Sequence, residues 1–143
     1  MSWWKSLMAF LLSNDGSSRR PSTEHKAQLF IERYNDEGIF TYLPDGFRVQ
    51  IGNNSDTTIL WSSIDQINAY KIDLMTTDEI CLDILANGSV YTITESTAGY
   101  FRFVNTMQQQ LVNVKENWEE SVILPPFETQ FTMLYTRSST LIN

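Results

Sequence analysis

The chain has 143 residues, 42% hydrophobic and 13% aromatic, and a net charge of −7 from 17 acidic and 10 basic side chains. That length predicts one domain able to bury roughly two thirds of the surface its unfolded chain exposes, so neither a disulfide framework nor a metal staple is required. The composition excludes disorder of the whole chain, and the acidic field repels phosphate backbones, so nucleic acid is not an expected partner.

The chain opens with MSWWKSLMAFLL. Its apolar run falls well short of the ~18 residues of a membrane-spanning helix, and no small-residue cleavage site follows it. Trp3 to Leu12 predict a short helix that is apolar around most of its circumference. Such a helix needs cover from its own domain, from a second copy of the chain or from a membrane surface. Ser13 to Ser22 have the composition of a linker. Residues 1–22 are therefore expected as an N-terminal apolar helix and linker, and residues 23–143 as a single α+β domain.

A second helix is predicted from about Thr23 to Tyr34, capped by Ser22 or Thr23, with Ala27, Phe30, Ile31 and Tyr34 on its apolar face. The period then changes. IFTYL and FRVQI flank a Pro-Asp-Gly turn, which is a hairpin signature. TTILW, INAYKIDL, EICLDIL and SVYTITE read as further strands, the last two joined through Asn87-Gly88, where both residues tolerate positive φ. About six strands joined by short turns predict an antiparallel sheet, since parallel strands need long crossovers. Trp61, Ile64, Ile67 and Tyr70 recur every third residue through an expected one-turn connector, a spacing that predicts core packing with Trp61 as anchor.

From Ser96 or Thr97 a third helix is predicted to run to about residue 112. Tyr100, Phe103, Val104, Met107 and Leu111 form its apolar stripe and Gln108 to Gln110 its polar side. This helix should lie across a curved sheet and close the core. The tail PPFETQFTMLYTR cannot be helical at Pro125 and Pro126. Its alternation beyond them, with Phe131, Met133 and Tyr135 on one side, predicts a strand or extended segment with one face buried. That segment either covers an open edge of the domain or forms part of a partner or dimer surface.

Motifs of catalysis are missing from the sequence. It contains no phosphate-binding G-x-x-x-x-G-K-[ST], no G-x-G-x-x-G and no G-x-S-x-G. One histidine, His25, and one cysteine, Cys81, cannot make a zinc site of ordinary spacing, and Cys81 lies in an apolar run as a small buried hydrophobe. A single unpaired cysteine fits a reducing, cytoplasmic setting. Asp73, Asp78, Glu79 and Asp83 cluster around one strand pair. Asp78 and Glu79 are expected on a solvated turn, and Asp83 on the polar face of a strand. No catalytic residue, cofactor or metal is therefore expected. If exposed, Trp61 or Trp118 would be a protein-binding hot spot. The candidate partner-binding residues are Trp61, Trp118, Phe127, Phe131 and Tyr135, with Trp3 and Trp4 of the first segment.

WSSIDQINAYKIDLMTTDEICLDI, ITESTAGYFRFVNTM and NWEESVILPPFETQFTMLY together resemble a family of small uncharacterised bacterial proteins over roughly residues 38 to 137. The ending PPF-x-T-x-F-T-x-L-Y is the most specific part of that likeness, and it brings no catalytic residues with it. The order of antiparallel strands followed by a closing amphipathic helix is also similar to pleckstrin-homology-like domains, a likeness of fold that does not fix function. Phosphate capture uses clusters of Arg or Lys, whereas the first strands carry only Arg48, with Lys71 further on. The expected function is thus non-enzymatic protein binding in a bacterial cytoplasm, by an acidic immunity or adaptor protein that masks a basic partner. A second copy of the chain is the other candidate partner. The competing class is a membrane-surface module anchored by the first helix.

Overall fold

The computed structural model describes residues 23–52, 55–124 and 131–137. The expected helix at Trp3 to Leu12, the linker after it, Pro125, Pro126 and Phe127 lie outside them. Helix α1 spans Thr23–Asn35, close to its predicted bounds. Of its expected apolar face, Ile31 is 48% exposed; among the described residues α1 packs chiefly on the later helix Tyr100–Gln110.

Three strands follow as a meander: β1 (Phe40–Leu43), β2 (Gly46–Gln50) and β3 (Asp56–Leu60), in the order β1-β2-β3. Phe40 pairs with Val49 and Leu43 with Gly46 around the Pro44-Asp45 turn, as the hairpin signature predicts. A single 3-10 turn, Trp61–Ser63, then redirects the chain into β4 (Ile64–Asp73). That turn splits the expected single curved sheet in two. The second sheet contains β5 (Asp78–Ala86), β6 (Ser89–Thr94) and β7 (Thr132–Thr136), in the order β6-β5-β4-β7 and antiparallel throughout. The described residues therefore form seven strands rather than six. The Asn87-Gly88 turn between β5 and β6 adopts positive φ at both residues, 53° and 78°.

Spacing by three within a strand should send Ile64 and Ile67 to opposite faces, yet both are fully buried. A bulge reconciles them. Pairing with β5 shifts between Ile64 and Gln66, so Asp65 is an extra residue and the strand turns over. Arg137 secures the bulge, donating its backbone N–H to Asp65 O at 2.8 Å and placing its guanidinium 3.1 Å from the Asp65 carboxylate. A second shift between Ile67 and Asn68 lies opposite Leu134 of β7.

Helix α2, Tyr100–Gln110, carries the predicted stripe inward: Tyr100, Phe103, Val104, Met107 and the following Leu111 are all buried. Phe103 lies at the centre of an aromatic cluster, with ring centroids 4.7 Å from Phe40, 5.0 Å from Phe47 and 6.1 Å from Trp61. Aromatic pairs at such distances contribute about 0.5–1.5 kcal/mol each beyond the area they bury. A short helix, α3 (Trp118–Ile123), is absent from the sequence reading; it packs Trp118 and Val122 against β4 and β7.

Phe103 is wholly buried, so Phe103→Ala is expected to lower stability by about 3–5 kcal/mol through lost transfer energy and an unfilled cavity. A urea-unfolding midpoint equal to that of the parent chain would show that the aromatic cluster does not organise the core.

Candidate functional site

The sequence-predicted candidates separate cleanly. Trp61 packs on Phe47 at 4.8 Å, and Trp118 is fully buried, so neither offers a surface to a partner. Tyr135 is half-buried against the core, whereas Leu134, not the aromatic side of the tail, is the residue β7 buries. Phe131 is 65% exposed and stacks on Tyr70 of β4, centroids 6.0 Å apart and 17° from parallel. Trp3, Trp4 and Phe127 lie outside the described residues. Among the described residues, these candidates are not brought together into one site.

What it does assemble is a cleft of about 620 Å³ at the end of the four-stranded sheet, between the C-terminal end of α1 and the first turn of α2. Three separate stretches of chain build it. Arg33 and Asp36 come from the end of α1, Asp78 and Glu79 from the start of β5, and Glu95 to Phe101 from the passage between β6 and α2. Among the described residues, four carboxylates line this space against one guanidinium, that of Arg33.

Two glycines allow the turns to meet. Gly38 and Gly99 both have positive φ, 56° and 87°, and a Cβ on Gly38 would collide with the Ala98 carbonyl and one on Gly99 with the Glu37 carbonyl. The Ile39 N–H donates to Ala98 O at 3.2 Å, and the Asp36 carboxylate accepts the Gly38 N–H at 2.9 Å. Arg102 closes the junction from α2: it donates to Asn35 O at 3.0 Å, pairs with Glu37 at 3.3 Å and covers the Tyr42 ring at 5.3 Å. A cation at the carbonyl end of α1 also complements the helix dipole.

The carboxylates are individually tied. Asp78 lies 3.3 Å from the buried Lys71 ammonium, which also donates to Ile123 O at 2.9 Å and so joins the cleft wall to α3. Glu95 accepts the Ile80 N–H at 3.1 Å; burial nonetheless pushes its carboxyl above the ordinary glutamate range, with Glu79 and Asp78 adding repulsion. Glu79 moves the other way, held down by hydrogen bonds from Ser96 and Thr94. Burial raises the Cys81 thiol, and Glu79, Asp83 and Glu95 raise it further, so Cys81 is not an activated thiolate. On the outer face of the same sheet, Asp83 accepts hydrogen bonds from Thr92 at 2.6 Å and Tyr70 at 3.3 Å, the polar-face position its alternation predicts.

Asp78 and Glu79 were expected on a solvated turn; they are instead the first residues of β5, with Asp78 held against the buried Lys71. Pairing of β5 with β6 sets Glu95 beside them, and the Gly38–Gly99 contact brings the Asp36 turn close. No family model, curated protein or solved structure matches the chain. The fold itself defines an α+β domain of two antiparallel sheets, with an acidic cleft where its turns converge.

The opposite shifts of the two glutamates predict opposite responses to amide substitution. A carboxyl raised in the folded state contributes stability at low pH that is lost as pH rises through its folded pKa. Glu95→Gln should therefore stabilise the domain at neutral pH, the gain vanishing as pH falls below the ordinary glutamate range. Glu79 is depressed, so its contribution is present above the unfolded value and lost as pH falls through the folded one. Glu79→Gln should accordingly destabilise at neutral pH. Denaturant titrations of both variants at neutral and acid pH check the pair, and shifts of the same sign would refute this account of the cleft.

Proposed function

We propose that this chain is a non-enzymatic protein-binding domain, an immunity or adaptor protein of a bacterial cytoplasm, that masks a basic segment of its partner in the acidic cleft. The observation that carries this reading is the convergence of Asp36, Asp78, Glu79 and Glu95 on one concave surface. They belong to a net charge of −7, which steers cationic partners toward the molecule from a distance. Leu74, Ala98 and Phe101 supply apolar wall between the charges, suited to the aliphatic stems of Lys or Arg. Glu79 and Glu95 are engaged as acceptors by neighbouring hydroxyl and backbone groups, which suits fixed walls of charge better than proton transfer.

The finer fold reading belongs to the same proposal. Two antiparallel sheets with an amphipathic helix across them support a pleckstrin-homology-like frame used here for protein rather than lipid. Among the described residues no helix is long and apolar enough to cross a membrane.

Affinity capture of the native protein from its own host tests the proposal. The expected partner is basic and elutes as salt rises, because the screening length falls from about 8 Å at about 0.15 M to about 3 Å at about 1 M. Capture should fail with an Asp36→Asn, Glu95→Gln double variant that unfolds cooperatively. A partner retained at high salt, or held equally by the double variant, would remove the cleft from the account. Flotation of the chain with anionic liposomes would favour the membrane class instead.

A further inference from the structure

The cleft already contains a cation. The Arg33 guanidinium carbon lies 5.9 Å from the centroid of the Phe101 ring, on the first turn of α2. Phe101 in turn meets Tyr100 edge-on, centroids 5.5 Å apart at 82°. A guanidinium above a ring face is drawn to its negative quadrupole, weakly where water has access. Water does have access here, because Arg33 is exposed. Arg102 and Arg137 are each locked to a carboxylate, at 3.3 Å and 3.1 Å, but among the described residues Arg33 forms no ion pair. Its contact with the ring is therefore easily exchanged.

On the reading of the cleft as the seat of a basic segment, we infer that Arg33 is an internal placeholder: its guanidinium occupies the position on Phe101 that an arginine of the partner takes, and the partner displaces it. The chemistry favours arginine over lysine. A planar guanidinium stacks on an aromatic face and presents a fork of donors to a carboxylate, whereas an ammonium is a compact and strongly hydrated point charge. Displacement gives up one exposed cation–ring contact, since Arg33 can turn into solvent. An incoming arginine regains that contact and adds Coulomb attraction to Glu95 and Glu79. Arg33 thus weakens the cleft for every single cation and leaves it selective for segments that bring several.

The test uses the full chain and a fluorescent oligo-arginine peptide, with an oligo-lysine peptide of equal length, titrated by anisotropy near physiological salt. The parent chain should bind the arginine peptide more tightly. Arg33→Gln should tighten that binding about threefold to tenfold, through loss of a competitor and of a like charge. Arg48→Gln makes the same change in net charge from an exposed position on β2 and should alter affinity less than about twofold. Phe101→Leu should bring the two peptides within about twofold of each other and abolish the effect of Arg33→Gln. Equal binding by the parent and Arg33→Gln, or equal tightening by Arg48→Gln, overturns the placeholder. In that case the cleft reading survives only if Glu95→Gln weakens the peptide. No binding of either peptide by any variant overturns both.

Discussion

The backbone at Glu37–Gly38 lies directly against the backbone at Ala98–Gly99, closer than any side chain with a Cβ would allow. Much of the molecule's arrangement follows from that approach. It sets the end of α1 beside the start of α2, although more than sixty residues of chain separate them. It also fixes where β1 begins, because the Ile39 N–H is spent on Ala98 O rather than on a strand neighbour. The acidic groups on either side are consequently held near one another despite their repulsion. Arg102 offsets part of that repulsion by bridging Asn35 O and the Glu37 carboxylate across the junction. A pair of glycines, unremarkable in composition, thereby decides that there is a cleft at all.

Behind the junction the interior divides its labour. The three-stranded sheet contributes aromatic rings, Phe40 and Phe47, which close around Phe103 together with Trp61. The four-stranded sheet contributes aliphatic surface, with Ile64, Ile67, Leu82, Ile84 and Ile93 all buried. Helix α2 spans both and ties them into one core, since the two sheets share no strand. Lys71 brings a charge into the aliphatic half. Its ammonium is buried, so it must be matched, and Asp78 and the carbonyl end of α3 match it. The orientation of α3 is therefore linked electrostatically to the wall of the cleft.

Local patterns were legible in the sequence wherever period or turn chemistry acted alone. The hairpin at Pro44-Asp45, the positive-φ turn at Asn87-Gly88 and the stripe from Tyr100 to Leu111 all fall where the residues predict. The division into two sheets was not legible, because a 3-10 turn of three residues leaves no distinctive composition. The bulge at Asp65 likewise hid the true facing of Ile64 and Ile67, whose spacing resembled a connector more than a strand. Helix α3 is too short to show a period. In the tail the alternation was correct but the buried side was that of Leu134, since a strand period does not say which face meets the core. The cleft escaped because its charges come from three separate stretches of chain, and tertiary contact alone brings the end of α1 to the β5–β6 pair.

That origin at the ends of elements has an evolutionary consequence. Asp36, Glu95 and Arg33 contribute little to the buried cluster that α2 organises, so their identities can drift while the frame persists. Chains sharing this frame can exchange the sign, spacing and reach of the cleft's charges in few mutational steps. The glycines at the junction are under the opposite pressure, because replacing either would remove the surface on which such variation acts.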